Sequence, residues 1–210
     1  MTSMLRLSLL ALSALALSSP VLAQEAPGAG ATVRAPDLYG SGAYVTQIGA
    51  GNRATVTQRQ GSTSTAAGVA QFGSGNVARV TQDGESQFAG VVQTGEQNLA
   101  TVDQDGEAHN TAKVIQTGGQ NRAAVTQTAV NEANAALVLQ TGFQNRVALT
   151  QDGSGNSAIL SQTGDDNAMT VDQTGANNAL VWTQVGSGLA GPTVTMEGNR
   201  SMTIIQTGVR

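Results

Sequence analysis

The sequence contains no cysteine and few aromatic residues, and both absences limit how the chain can be stabilised. None of the 210 residues is cysteine, so no disulfide supports the fold. Aromatic residues make up 3% of the chain and charged residues 11%. Large apolar side chains usually fill a globular core, whereas the apolar residues here are mostly alanine and valine. This composition predicts a thin core rather than a deep one.

Proline is also scarce, and its positions divide the chain. Pro27 and Pro36 lie between residues 24 and 44, in a stretch with several glycines and no periodicity. We interpret residues 24–44 as a flexible N-terminal leader. Pro192 lies in a degenerate segment at about residues 185–200. The regular region between them contains no proline, as a hydrogen-bonded strand ladder requires.

Long apolar runs are missing except at the N-terminus. Arg6 precedes an apolar run over residues 7–17, and Ala23 ends a small-residue cleavage site. This pattern predicts a secretory signal peptide over residues 1–23, because the run is too short to span a membrane. Without Arg6, 9 basic residues face 14 acidic ones, a net charge of about −5. That charge argues against nucleic acid as a partner.

What the sequence has in abundance is one repeated phrase. Its clearest copy covers residues 47–58 and reads Q-x-G-x-x-N-x-A-x-V-x-Q, and the closing glutamine opens the next copy. Most steps between these marker glutamines are 11 residues, one is 12, two are 13 and the last is 22. A fixed period is typical of repeat architectures. The marker glutamines are Gln47, Gln58, Gln71, Gln82, Gln93, Gln104, Gln116, Gln127, Gln140, Gln151, Gln162, Gln173, Gln184 and Gln206.

The part of the phrase that keeps a fixed length, N-x-A-x-V-x-Q, alternates as a β-strand does. Its four named positions are separated by single residues, so they share one face of the strand. We expect alanine and valine to fill the core, and asparagine and glutamine to form amide ladders with their own kind in neighbouring coils. The asparagines are Asn52, Asn76, Asn98, Asn110, Asn121, Asn134, Asn145, Asn156, Asn167 and Asn178.

The remaining part, Q-x-G-x-x-N, is the predicted turn, because glycine tolerates a positive φ. Strand, turn, strand and turn make one coil of about 22 residues. The sequence therefore predicts an all-β fold over residues 45–210. This fold is a β-solenoid of about seven coils, with two parallel, in-register sheets joined by strand-turn-strand arches. The turn glycines are Gly49, Gly73, Gly84, Gly95, Gly106, Gly118, Gly142, Gly153, Gly164, Gly175 and Gly186.

The positions of the insertions support pairing the copies into coils. All three insertions, after Gln58, Gln104 and Gln127, fall in alternate copies and therefore at one edge of the solenoid. A right-handed coiled coil is the alternative fold for an 11-residue period. Regular glycine and frequent valine and threonine argue against helices.

At this density the phrase resembles the curlin repeat of bacterial curli subunits. The likeness covers about residues 45–208, in some fourteen copies, more than well-known curlins have. The resemblance implies a structural subunit of an extracellular functional amyloid, used in biofilm matrix and in adhesion to cells and surfaces. It further implies a homopolymer fibre, other curli subunits as partners, and export through an outer-membrane channel with a periplasmic chaperone. Whether this chain is a major or a minor subunit stays open.

The residues between the ladder positions form two unlike outer faces. In the copies that open at Gln47 and at every second marker after it, these residues are mostly polar. In the alternate copies they are mostly apolar, with Leu137 and Ile159 among them and Lys113 as the one charge. An exposed apolar strip usually marks a contact surface. We expect it to mediate lateral bundling or adhesion; a merely alanine-rich exposed sheet is the alternative.

The two ends of the predicted solenoid differ. No amphipathic cap precedes residue 45, so the first coil exposes edges that match the coil that would add to it, which favours end-to-end polymerisation. Near the C-terminus Trp182 replaces a core valine, and the segment around Pro192 lacks the alanine and valine pair. Either this coil is loose and slows addition, or small Gly191 and Thr193 make room for the indole.

The reactive residues suggest no catalytic, cofactor or metal site. His109, the one histidine, is expected in a solvated turn beside Asp105 and Glu107. Asp83 and Asp105 lie one coil apart, so stacking brings like charges together. We expect these acids to limit premature aggregation, with calcium bridging as the alternative.

The sequence thus predicts a secreted fibre subunit rather than an enzyme. One alternative is a minor subunit that nucleates fibres at the cell surface, and another is a monomeric secreted β-solenoid adhesin capped by its last coil. The pair Thr55 and Thr57 also resembles the threonine arrays of ice-binding solenoids. That array does not persist, because Arg79, Ala124 and Ala148 interrupt its middle column.

Overall fold

Parallel strands dominate the computed structural model, which describes residues 22–24, 30–34, 42–59 and 64–208. The strands are numbered in chain order and form two sheets. Sheet 1 contains β1 (Leu22–Gln24), β3 (Gly42–Ile48), β5 (Ala66–Ser74), β7 (Phe88–Glu96), β9 (Thr111–Gly119), β11 (Ala135–Phe143), β13 (Ser157–Thr163), β15 (Ala179–Val185) and β17 (Ser201–Thr207). Sheet 2 contains β2 (Gly30–Arg34), β4 (Arg53–Gln58), β6 (Val77–Gly84), β8 (Leu99–Gly106), β10 (Arg122–Ala129), β12 (Arg146–Ser154), β14 (Ala168–Ala176) and β16 (Val194–Glu197).

Each coil gives one strand to each sheet, and the burial of its side chains follows the phrase. In β7, Ala89, Val91 and Gln93 are buried, whereas the residues between them are half-buried. This alternation is that of a strand with one face toward the core. The predicted all-β solenoid of about seven coils is confirmed.

Neighbouring coils are parallel and in register. Gln93 pairs with Gln116, which pairs with Gln140, and the alanine and valine positions pair in the same way. The insertions after Gln104 and Gln127 lie in arches that lead from sheet 2 to sheet 1, at one edge of the solenoid. Residues 60–63, in the insertion after Gln58, lie outside the described ranges. Because the extra residues are confined to arches, the strands keep their register.

The core consists of two apolar side chains per strand, packed between the sheets. Ala100 and Val102 of β8 and Ala112 and Val114 of β9 are all 0% exposed. Toward the C-terminus the pairs become larger, and Trp182 is fully buried. The core is therefore thin, as the composition predicts.

The sheets extend upstream of residue 45. Strand β2 pairs with β4 in a register that sets Ala31 opposite Ala54 and Val33 opposite Val56. Strand β3 begins at Gly42. The interpretation of residues 24–44 as an aperiodic leader overlooked residues 31–33, an A-x-V pair with no glutamine after it. Residues 1–21 of the predicted signal peptide lie outside the described ranges.

The last coil is repacked around a tryptophan. A Cβ added at Gly191 would overlap the indole of Trp182, so the absence of a side chain there gives the indole its space. Thr193, by contrast, is exposed. The chain realigns beyond Pro192, where Val194 pairs with Val171. Of the two predicted arrangements, the structure shows the local repacking, with Gly191 alone making the room.

Candidate assembly surfaces

Two columns of glutamine run through the core, one along each sheet. In sheet 1, Nε2 of each glutamine donates to Oε1 of the next, from Gln47 to Gln206, at 2.6–2.9 Å. In sheet 2 the same bond runs from Gln58 to Gln173 at 2.7–3.0 Å. Buried amides need hydrogen-bond partners, and stacking identical residues in register supplies them.

The marker glutamines from Gln58 to Gln184 also tie one sheet to the other. Gln116 Nε2 donates a second bond to Leu99 O at 3.0 Å. Gln104 Nε2 does the same to Phe88 O at 3.0 Å. Both N–H groups of the amide are used in this way, so an apolar substitution would leave partners unpaired in two directions.

The asparagines and glycines together fix the turns. Asn121 donates from its backbone N and from Nδ2 to Asn98 Oδ1, at 3.1 and 3.0 Å. Its Nδ2 also donates to Gly142 O at 2.8 Å. All eleven glycines predicted for the turns have a positive φ. At Gly118, φ is +110° and an added Cβ would overlap Gly142 O, so glycine meets both a torsional and a steric requirement.

The second asparagine column, at the insertion edge, is less regular than the first. It includes Thr65 and Gln87, both buried, which take the place of asparagine six residues before a marker glutamine. Gln87 Nε2 donates to Asp83 O at 2.7 Å, while Gln87 Oε1 and Asn110 Oδ1 have no hydrogen-bond partner. A column defined by asparagine alone does not include these two positions. The fixed spacing to the next glutamine was the signal for them.

The glutamine ladders have a direction, and their first members are unsatisfied. Each Nε2 donates toward the following coil, so the first Oε1 in each described ladder receives nothing. Oε1 of Gln47 and Oε1 of Gln58 are buried and have no hydrogen-bond partner. A buried acceptor without a donor costs about 1–3 kcal/mol. The two described glutamine ladders therefore each begin with an unmet acceptor.

The C-terminal end differs between the sheets. Gln206 Oε1 accepts from Gln184 Nε2 at 2.8 Å and from Trp182 Nε1 at 3.0 Å, which extends the sheet 1 ladder into the last coil. In sheet 2 the ladder stops one coil earlier, because Gln173 pairs with Met196. Gln173 Nε2 lies 3.7 Å from Met196 Sδ, a weak acceptor that has no hydrogen to donate onward.

The outer faces of the two sheets differ, as their sequences predict. On sheet 1, Leu137 lies in register between Lys113 and Ile159. Leu137 and Ile159 are half-buried in a strip of neighbouring apolar side chains. On sheet 2, Thr126 pairs with Thr150 in an outward threonine column. The apolar strip of sheet 1 is therefore the candidate contact surface.

The acidic residues at the insertion edge are stacked, and an arginine partly compensates their like charges. Asp83 and Asp105 pair in register, and Arg59 Nη1 lies 2.9 Å from Asp83 Oδ2. That ion pair was not predicted from the sequence. His109 is exposed. Across the ranges that the structure describes, no group of three or more histidine or acidic side chains is placed to hold a metal ion.

The comparisons with known proteins place the repeat in a family. A family model for the curlin associated repeat matches residues 76–106 and residues 145–175. The first match spans β6, β7 and β8, and the second spans β12, β13 and β14 as far as Gly175, so each match covers about one and a half structural coils. Comparison with curated proteins gives no match. Among the described residues, no helix has the length and apolarity to cross a membrane.

Proposed function

Since this chain is a curlin-repeat protein, we propose that it is a structural subunit of an extracellular, curli-like amyloid fibre for biofilm matrix and for adhesion to cells and surfaces. The observation that carries the proposal is the unfinished amide ladder. Near-identical coils stack in register, and Gln47 Oε1 and Gln58 Oε1 still lack donors. A further coil with an amide in the same column would satisfy them.

The proposal assigns a task to each part of the chain. Residues 1–23 direct export, residues 24–44 form the leader, and residues 45–210 build the fibre. On the family's pattern, the chain crosses the outer membrane unfolded through a dedicated channel, helped by a periplasmic chaperone, and assembles with itself and with other curli subunits. A chain without cysteine forms no disulfide in an oxidising compartment, so none hinders export of the unfolded chain.

One observation favours a second candidate, the monomeric adhesin. Strand β16 has only four residues and places Met196 where the ladder of sheet 2 needs glutamine. An end of this kind would slow the addition of another copy. A minor subunit that nucleates fibres at the cell surface is a further variant of the fibre role.

The test is the assembly of purified residues 24–210 after removal from denaturant. We expect thioflavin fluorescence to rise after a lag, and fibres to form with a repeat of about 4.8 Å along their axis. Gln93→Leu combined with Gln116→Leu serves as the control, since it interrupts one ladder inside the chain. A protein that remains monomeric for days would refute the fibre role and favour the adhesin.

A further inference from the structure

Two arginines lie in register on the outer face of sheet 2. Arg122 of β10 pairs with Arg146 of β12, so their side chains leave the sheet about 4.8 Å apart. Among the strand pairs that the structure describes, no other two cations are paired in register. Like charges directly opposite one another destabilise a sheet, so this pair costs stability unless an anion joins it.

The stacked acids at the insertion edge have a counter-charge, whereas these two arginines have none. Asp83 stacks on Asp105, and Arg59 Nη1 lies 2.9 Å from Asp83 Oδ2. That contact is the one ion pair within the described ranges, so no carboxylate of those ranges pairs with Arg122 or Arg146. Guanidinium groups on neighbouring strands can each donate to one oxygen of the same carboxylate.

A short column of exposed glutamines, here called the outer glutamine column, lies in the arches beside the two arginines. Gln144 Nε2 donates to Gln120 Oε1 at 3.0 Å, and Gln120 Nε2 donates to Gln97 Oε1 at 3.2 Å. Gln97 Nε2 and Gln144 Oε1, at its two ends, have no hydrogen-bond partner among the described residues. A hydroxyl group both donates and accepts, so it suits both ends of the column.

The backbone of the outer glutamine column is one that glycine tolerates better than glutamine. The φ angle is +54° at Gln97, +57° at Gln120 and +56° at Gln144. The equivalent positions in the two preceding coils are Gly51 and Gly75, with φ of +67° and +66°. A positive φ is uncommon outside glycine, and strained backbone persists where it has a use. Three successive glutamines in this conformation therefore indicate a use for their side chains.

A cleft of about 380 Å³ joins the arginine pair to the outer glutamine column. We propose that this cleft binds an acidic polysaccharide, with the two arginines holding a carboxylate and the glutamines bonding to sugar hydroxyls. It spans three coils, about 10 Å, which is longer than one sugar ring. Its lining has no aromatic side chain on which a nucleobase could stack, which favours the polysaccharide over nucleic acid. The lining residues are Gln97, Gln120, Arg122, Gln144, Asn145 and Arg146.

The whole site belongs to one chain, so the inference goes beyond the fibre role and does not depend on it. The arches are fixed by backbone bonds, from Gln120 N to Glu96 O at 2.9 Å and from Gln144 N to Gly119 O at 3.0 Å. A site that is held in place before the ligand arrives loses less conformational entropy on binding.

The first experiment titrates oligogalacturonate, a uronate oligosaccharide, into residues 24–210 and measures binding by calorimetry at 0.15 M salt. Arg122→Gln with Arg146→Gln removes the paired charges. The control, Arg53→Gln with Arg79→Gln, removes two arginines that are also exposed on sheet 2 but are not in register. We expect binding to weaken about tenfold in the first variant and less than about twofold in the control. Equal weakening in both, or no binding by the wild type, would overturn the inference.

Comparison ligands define what the cleft recognises. A maltooligosaccharide of the same length, which has no carboxylate, should not bind measurably. Single-stranded DNA or polyglutamate that binds as tightly as oligogalacturonate would show the polysaccharide assignment to be wrong. Fibres that do not bind oligogalacturonate would leave the proposed function standing without this site. A chain that stays monomeric and binds would refute the fibre role and support the site.

The second experiment separates binding from stability in the outer glutamine column. Gln120→Gly removes an amide at a φ that glycine tolerates, so the unfolding midpoint should not fall, whereas oligogalacturonate should bind about threefold more weakly. The control is Asn177→Gly, an exposed residue with φ of +58° at the insertion edge, which should bind as the wild type does. If Gln120→Gly also binds as the wild type does, the glutamines do not contact the ligand. If its unfolding midpoint falls together with binding, Gln120 has a structural role instead.

Discussion

The coils between residues 64 and 188 and the last coil, residues 189–207, share strand pairings but differ in their interior. The regular coils carry a glutamine in each strand and small apolar pairs between the sheets. The last coil retains Gln206 in sheet 1, but in sheet 2 it has a four-residue strand and Met196 in the ladder column. It packs against the indole of Trp182 in β15, in a column where the other coils hold valine, leucine or isoleucine.

The last coil shows that strand pairing and the glutamine ladder have different requirements. Strand β16 still alternates buried and exposed residues and still pairs with β14 without any amide, so apolar alternation is enough for pairing. The amide matters because its neighbour in the next coil is buried and needs a partner. Where the last coil lacks its glutamine, Gln173 Nε2 retains its bond to Ser157 O, at 3.1 Å, and faces only the weak acceptor Met196 Sδ, at 3.7 Å.

The largest expected effect tests whether turn glycines matter more in the regular coils than in the last one. Gly118→Ala should destabilise the fold by about 3 kcal/mol or more, because it adds torsional strain and an overlap with Gly142 O. Gly198→Ala is the matched control. Its φ is +59°, and an added Cβ comes no nearer than 4.0 Å to Ala176 O, so about 1 kcal/mol is expected.

Guanidinium unfolding followed by circular dichroism compares these two variants. If Gly118→Ala lowers the unfolding midpoint no more than Gly198→Ala does, the stacked turns relax easily around the added methyl group. In that event the difference between the regular and the last coil would not lie in the backbone.

Much of this architecture could be predicted because the same pattern of inward-facing residues recurs from coil to coil. The spacing N-x-A-x-V-x-Q fixes which residues face inward, and the confinement of insertions to one edge fixes how the copies pair. Leu137 and Ile159 could be assigned to one outer face for the same reason. A motif that predicts the fold only weakly in a single copy predicts it strongly when it recurs many times at a fixed period.

The features that were not predicted depend on particular contacts in the structure rather than on the period of the repeat. Strand β2 was missed because Ala31 and Val33 are not followed by glutamine, although their backbone still pairs with β4. Gln87 was missed because it replaces asparagine in a column that the sequence analysis defined by residue type. The direction of the ladders, and with it the unmet acceptors of Gln47 and Gln58, depends on amide orientation, which no sequence pattern specifies.

A smaller effect is expected at the core of the last coil, where Trp182 and Gly191 should be strongly coupled. Gly191→Ala should cost about 1–3 kcal/mol, because its methyl group would overlap the indole. In a Trp182→Val background the same change should cost less than about 0.5 kcal/mol, because the overlap is gone. Unfolding midpoints of the four proteins in this double-mutant cycle measure the coupling. If the two substitutions change the free energy of unfolding additively, then Gly191 and the indole of Trp182 are not coupled.

The smallest effect on stability is expected at the outer strip, which contains Leu137 and Ile159 in the regular coils and continues as Ser201, Thr203 and the exposed Ile205 in β17. Leu137→Lys with Ile159→Lys should change the free energy of unfolding by less than about 1 kcal/mol, since both side chains lie on the outer face. Fibres should still form, but lateral bundles should be fewer, because stacked ammonium groups repel one another across the strip. Electron microscopy of bundle width and light scattering would measure this.

The control for the strip adds the same two charges, again at positions that pair in register, to the other face, as Thr126→Lys with Thr150→Lys on sheet 2. If the strip of sheet 1 mediates bundling, this variant should bundle as the wild type does, because its charges lie on a face that is already polar. Equal loss of bundling in both variants would instead attribute the effect to net charge. High salt distinguishes the two explanations further, because screening weakens repulsion between exposed charges but does not restore the apolar surface that Leu137 and Ile159 provide.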